Sequence, residues 1–199
     1  ATRAGQVKIL ASSGELLSAP LKLNVLSGEL DRFEVAGTPE STVAGVPFPG
    51  SAGDSIIVTA KDQFGDTVTN FADTIFFASD DPLASLPGLY VFTVGPGKDN
   101  GRHAFPGSQF VLKKVGTRKI SVSADGKTGS SPPVQVAANY LADFFFFAPP
   151  EVIAGKAFDV TIAGGVDLYG NPAFGTVNVI PVLGGGASPS GAVPAFTSV

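Results

Sequence analysis

The chain overlays on itself. Shifted by 111 positions, residues 5–40 lie over 116–151 without a gap. Gly5 meets Gly116, Lys8–Ile9 meet Lys119–Ile120, Ser12 meets Ser123, Val25 meets Val136, Leu30 meets Leu141, Phe33 meets Phe144, and Pro39–Glu40 meet Pro150–Glu151. One deletion then brings Ala44–Gly45 onto Ala154–Gly155. Five more bring Asp54, Ile57, Asp62, Phe64 and Gly65 onto Asp159, Ile162, Asp167, Tyr169 and Gly170. A period of about 110 residues suits one β-sandwich of roughly 100 residues per repeat. The 199-residue chain is out of phase with that period. Residues 1–28 correspond to the closing strands of a repeat, 29–138 to one complete repeat, and 139–199 to the first half of another.

The stretch from Thr74 to Ala124 sets the fold class. Short runs of β-branched and aromatic residues are each closed by Gly, Pro, Asn or Asp, the punctuation of antiparallel strands. Strands are expected at Val7–Ala11, Leu21–Leu26, Asp31–Ala36, Asp54–Lys61, Ile75–Ala78, Leu89–Val94, His103–Phe105, Phe110–Leu112, Lys119–Ala124 and Val134–Ala137. In Asp31–Ala36, Phe33 and Val35 alternate with Arg32 and Glu34, so one face is buried and the other wet. In Asp54–Lys61, Ile56 and Ile57 fall on opposite sides, which leaves the inward face open. Lys61-Asp-Gln-Phe-Gly-Asp66 reads as a turn with Gly65 at positive φ and Asp side chains bonded to nearby backbone. Asp99-Asn-Gly101 is a hairpin signal. No 12-residue window combines helical spacing with freedom from Pro and Gly. The expected class is all-β.

Hydrophobic residues make up 44% of the chain and charged residues 15%, the reverse of the balance that keeps a chain unfolded. A net charge of −4, with basic residues grouped only at Lys113, Lys114, Arg118 and Lys119, argues against a nucleic-acid partner. The absence of cysteine removes disulfide and thiolate-metal frameworks. No run reaches the ~20 apolar residues needed to span a bilayer as a helix, so no transmembrane segment is expected. The N-terminus shows no signal-peptide pattern. A removed signal or a segment of a longer protein is expected, the second because of the repeat phase.

The order AG-x-P-F from Ala44, VTAKDQFGD from Val58, FFASDDPLASLPGLYVFT from Phe76, NGRHAF from Asn100 and LKKVGTRKISVSA from Leu112 resembles the bacterial immunoglobulin-like repeats of large secreted and cell-surface proteins. Invasin- and intimin-like adhesins and surface-layer arrays carry such repeats. The resemblance covers residues 29–138 and, more weakly, both partial repeats. It implies tandem immunoglobulin-like antiparallel β-sandwiches with incomplete repeats at both ends, an extracellular or cell-surface location, and a spacer, adhesive or assembly role. It carries over no binding residues.

Catalytic signals are sparse. His103 is the one histidine, beside the expected hairpin, and no G-x-S-x-G elbow accompanies it, so a structural strand position is expected. Gly95-Pro-Gly97-Lys98 lacks Walker spacing, and Gly184–Gly186 lacks a strand–helix context. No enzyme and no cofactor are expected. Calcium is the one metal considered: Asp62, Asp66, Asp80 and Asp81, with Asp99, sit in expected loops that could offer oxygen ligands. None has the D-x-D-x-D-G spacing, and Asp is common in turns.

Phe144–Phe147 is the sharpest local departure between repeats. Phe144 and Phe146 take the inward positions of Phe33 and Val35, while Phe145 replaces Glu34 and Phe147 replaces Ala36. Burying a Phe contributes about 1.5–3 kcal/mol, so Phe145 and Phe147 are expected either under a loop of their own domain or at a contact between domains or subunits. Half a sandwich also leaves strand edges open. The missing strands come either from more of the same polypeptide or from a neighbouring copy; head plus tail would lack roughly 15–20 residues of a repeat of that period. The expected function is an extracellular structural or adhesive protein that assembles into a surface array, fibre or stalk. Its partners would be other copies of itself or further repeats of the same protein. The alternative is a non-catalytic binding module for carbohydrate or protein. The lack of Trp and the presence of only three Tyr weigh against a carbohydrate platform.

Overall fold

The computed structural model describes residues 3–49, 55–153 and 156–178. The start of the expected Asp54 strand, the Ala154–Gly155 match and residues 179–199 lie outside these. The described chain is all-β, in several mostly antiparallel sheets, with a single short 3-10 turn at Gly107–Gln109. None of its described helices is long and apolar enough to cross a membrane.

The first segment holds β1 (Gly5–Ile9), β2 (Ser12–Ser13), β3 (Leu16–Leu17) and β4 (Leu21–Val25). The central segment holds β5 (Arg32–Ala36), β6 (Ser41–Val43), β7 (Ser55–Lys61), β8 (Thr74–Ser79), β9 (Tyr90–Val91), β10 (Arg102–Pro106), β11 (Gly116–Arg118), β12 (Ile120–Ala124), β13 (Lys127–Ser130) and β14 (Val134–Ala137). The last segment holds β15 (Asp143–Phe147) and β16 (Thr161–Val166).

In residues 29–138 the sheet β10–β7–β5 faces the sheet β13–β12–β8–β9, and β11–β14–β6 closes one side, with β6 parallel to β14. Alternation decides which side chains meet. Phe33 and Val35 point inward from β5 while Glu34 and Ala36 are exposed. On β7 the undecided face resolves: Ile56, Val58 and Ala60 enter the core and Ile57 is half-buried. Ile120, Val122 and Ala124 of β12 meet them from the other sheet. Rings fill the rest, with Phe77 edge-on to Phe105 at 4.9 Å and to Phe110 at 5.4 Å, and Phe33 edge-on to Phe71 at 5.5 Å.

Two expected strands and one expected turn change shape. Phe110–Leu112 forms no ladder: Pro106 runs into the 3-10 turn, and Val111 makes only isolated bridges to Pro47 and Ser85. Leu89–Val94 shortens to β9 because the Thr93 N–H goes to the Asp99 side chain at 2.8 Å. The connection after β1 is a small hairpin, β2–β3, where a simple turn was expected.

The first segment repeats the closing strands of the central one in register. Gly5 pairs with Val25 as Gly116 pairs with Val136, and Ser12 pairs with Leu17 as Ser123 pairs with Thr128. Ile9 and Leu23, counterparts of the fully buried Ile120 and Val134, are exposed, because no facing sheet covers them among the described residues. The last segment begins as the central one does: Asp143 pairs with Val166 as Arg32 pairs with Lys61, and Phe144 with Gly165 as Phe33 with Ala60. The pairings then diverge at a bulge between Phe144 and Phe145, where Gly164 takes φ +67°.

Candidate functional site: the junctions between segments

Two turns, Asp62-Gln-Phe-Gly-Asp66 and Asp167-Leu-Tyr-Gly-Asn171, share one construction. A short carboxylate at the first position can accept two N–H groups of its own turn, and the fourth position needs left-handed backbone, which glycine adopts without strain. Gly65 has φ +84° and Gly170 φ +71°. Asp62 Oδ1 accepts from the Phe64 N–H at 2.9 Å and the Asp66 N–H at 2.8 Å. Asp167 Oδ1 accepts from the Tyr169 and Asn171 N–H groups, both at 2.9 Å.

The second oxygen of each carboxylate leaves the turn and holds the connector between segments. Asp62 Oδ2 accepts from the Gly28 N–H at 2.8 Å, and Asp167 Oδ2 from the Asn139 N–H at 3.0 Å. Gly28 and Asn139 are 111 positions apart. The last side chain of each turn reaches the neighbouring segment. The Ala4 N–H donates to Asp66 Oδ2 at 2.5 Å, and the Val115 N–H donates to Asn171 Oδ1 at 3.1 Å. Ala4 and Val115 are again 111 positions apart. These two backbone contacts therefore recur with the sequence repeat at both junctions.

Asp62 and Asp167 are almost wholly buried. The Gly28 N–H, helped by those of Asp66, Phe64 and Gly65 and opposed by burial, holds the Asp62 carboxyl below the usual carboxylate range. Burial alone would raise Asp167. The Asn171 amide and the N–H groups of Asn139, Asn171 and Tyr169 outweigh it and bring the carboxyl down to about 2.

The second junction carries more contacts. Asn171 Nδ2 donates to the Lys113 carbonyl at 2.7 Å and to Asp167 Oδ2 at 2.8 Å, Lys114 Nζ to the Tyr169 carbonyl at 2.7 Å, and Asn139 Nδ2 to the Ala44 carbonyl at 2.8 Å. The Tyr169 ring rests on Gly45, whose φ is +79° and where a Cβ would overlap the ring. Asp81 braces this surface from behind, accepting the Lys113 N–H at 2.5 Å, the Lys114 N–H at 2.9 Å and the Leu83 N–H at 2.9 Å. At the first junction Arg3, the counterpart of Lys114, lies 3.6 Å from Asp66.

The chain is similar to a surface layer protein. A structure of surface layer protein SbsC, domains 4–9, matches 86% of this chain and 25% of that one, with 18% identity and a TM-score of 0.36. For SbsC domains 1–6 the match covers 85% and 20%, with 19% identity and a TM-score of 0.35. For the crystal structure of rSbsC(31-844) it covers 88% and 21%, with 18% identity and a TM-score of 0.35. The chain spans about a quarter or less of these structures. No family model and no curated protein matches it.

The aspartates considered for calcium divide between sites. Asp62 and Asp66 share the first junction. Asp81 braces the second, and Asp80 accepts the Lys119 N–H at 2.8 Å. Asp99 accepts from the Thr93 N–H and hydroxyl and from Tyr90 Oη, and lies 2.6 Å from His103 Nδ1. Among the described residues no three His, Asp or Glu side chains converge into a metal-holding group. His103 is a strand residue of β10, its ring 4.1 Å from that of Tyr90. Phe145 and Phe147 lie on β15, 59% and 60% exposed.

Sequence reading missed Gly45, Lys114, Asn139, Tyr169 and Asn171 as junction residues. The signal was present in part: Gly45, Asp167, Tyr169 and Gly170 all stood in the matched series. A turn motif that recurs with the period can serve the joint between repeats rather than the interior of each.

Proposed function

We propose that this chain belongs to an extracellular structural or adhesive protein at the cell surface, built of immunoglobulin-like repeats in series. The observation that carries the reading is the pair of junctions, whose carboxylate–amide contacts recur one repeat apart. A joint reproduced in this way serves to set one sandwich against the next, and the molecule's work is then mechanical. The exposed Ile9 and Leu23 at one end, and the β15–β16 pair at the other, each present part of a sandwich whose remaining strands come from elsewhere. Further repeats or another copy supply what each lacks, by strand addition. Phe145 and Phe147 form part of the contact face between domains or copies.

Antibody labelling of intact source cells, paired with negative-stain microscopy of the purified protein, tests this. Labelling without permeabilisation, and elongated or associated particles, are expected. Label that enters only after permeabilisation, with compact single particles, would overturn the reading.

A further inference from the structure

The two junctions differ most in how deeply one aromatic ring is packed, besides carrying Gly28 for Asn139, Arg3 for Lys114 and Asp66 for Asn171. Tyr169 is half-buried on Gly45 and packs against the central core. Its counterpart Phe64 occupies the same place in the same turn and is 50% exposed. The backbone latches of the first junction are in position, Asp62 on Gly28 and Asp66 on Ala4, and Arg3 occupies the place of Lys114 in sequence, 3.6 Å from Asp66. At the second junction the Ala44–Gly45 turn lies beside the start of the closing strands, with the Gly45 N–H bonded to the Leu112 carbonyl at 2.8 Å. Residues 3–27 are the closing strands of a sandwich in the same sense, with the same registers.

We propose that Phe64 is the docking residue for the Ala–Gly turn of that sandwich, a repeat of this kind for which residues 3–27 supply the last strands. This inference rests on the repeat reading above and extends it to a named contact. The occupant is fixed by continuity with the joint already formed around Tyr169. A small, left-handed glycine is the surface on which an aromatic ring can lie flat, and a phenyl ring without a hydroxyl fits where no polar partner is needed. The cation at Arg3 stays at the rim, as Lys114 does.

The test supplies the occupant. Residues 29–113 are grafted ahead of Arg3, so that Lys113 precedes Arg3 as it precedes Lys114, the 111-residue period is kept and Arg3 and Ala4 stay in place. The chain has no Trp, so Phe64→Trp gives a single reporter. Its emission shifts to the blue, and its acrylamide quenching falls several-fold, in the extended chain relative to the 199-residue chain. Gly45→Ala in the added segment reverses both changes. Because an indole is larger than a phenyl ring, Phe64→Ala gives a second reading: it lowers the denaturation midpoint of the extended chain only. Hydrogen exchange of the added segment reports separately on the repeat reading. An unprotected segment overturns that reading and this one together. A protected segment with the indole of the Phe64→Trp variant still fully quenched, and equal effects of Phe64→Ala in both chains, overturns the docking contact alone.

Discussion

Asp167 gathers three backbone N–H groups and one amide onto two oxygens in a nearly water-free site. Replacing it with Ala leaves buried donors without acceptors, which costs on the order of 1–3 kcal/mol for each group left unpaired. With partial rewetting, Asp167→Ala should weaken the second junction by roughly 2–4 kcal/mol, read by denaturant titration and by loss of exchange protection at Asn139. Its pH dependence has a definite sign. Because the folded carboxyl titrates at about 2, below the ordinary 3.8, its stabilisation is complete above the ordinary value and is lost as pH falls towards the folded one. Exchange protection at Asn139 should therefore decline as pH falls from the ordinary carboxylate range towards about 2, while a neutral Asp167→Asn variant should show a flatter profile over that interval. Gly45→Ala tests the other side of the joint. Left-handed backbone costs a residue with a Cβ about 1–2 kcal/mol, and the methyl would expel the Tyr169 ring, so the ring resonances of Tyr169 should move to solvent-like shifts.

Between elements, β5 and β15 make a controlled comparison. The two overlay at the 111-residue shift and both pair with a strand that ends at an aspartate turn, yet Phe33 is 3% exposed and Phe144 38% exposed. Phe33→Ala should cost ~3–5 kcal/mol, as for a ring lost from a closed core. Phe144→Ala should cost well under half of that, measured as shifts in the unfolding midpoint of each segment. The strands were readable wherever alternation was clean, as in Arg32–Ala36 and Ile120–Ala124, because a period of two has one physical solution beside a core. The turn at Asp62–Asp66 was readable from Gly65 and its aspartates. Phe110–Leu112 misled because its apolar residues serve the core from a segment governed by Pro106 and the following 3-10 turn, which local composition does not encode. The inward face of β7 was unreadable for a related reason. Val58 and Ala60 are buried to the same degree as Ile56, so burial depends on which sheet lies opposite, a property of the tertiary arrangement.

Across the whole molecule, residues 29–138 hold nearly all of the closed core, whereas no described residue from 3 to 27 is buried. Limited proteolysis should therefore cut first within residues 3–27 and on either side of β15, leaving a resistant fragment close to 29–138. Early cleavage inside β7 or β12 would contradict this distribution of burial. The matching registers of the first segment and of residues 116–136 were legible from the 111-residue overlay alone. The joint was not, because it is made by side chains distant in sequence whose meeting requires both segments to be folded.

The connector at Gly28 and at Asn139 is gripped by the same carboxylate that shapes the adjoining turn, and this has a bearing on stiffness. If the chain is a row of sandwiches as proposed, ones tethered in this way would have little freedom to swivel, since any rotation about the connector strips amides from an acceptor they cannot easily replace. Tension applied along such a row would travel from rung to rung through the one latching aspartate of each joint, and the row would behave as a strut rather than as beads on a string.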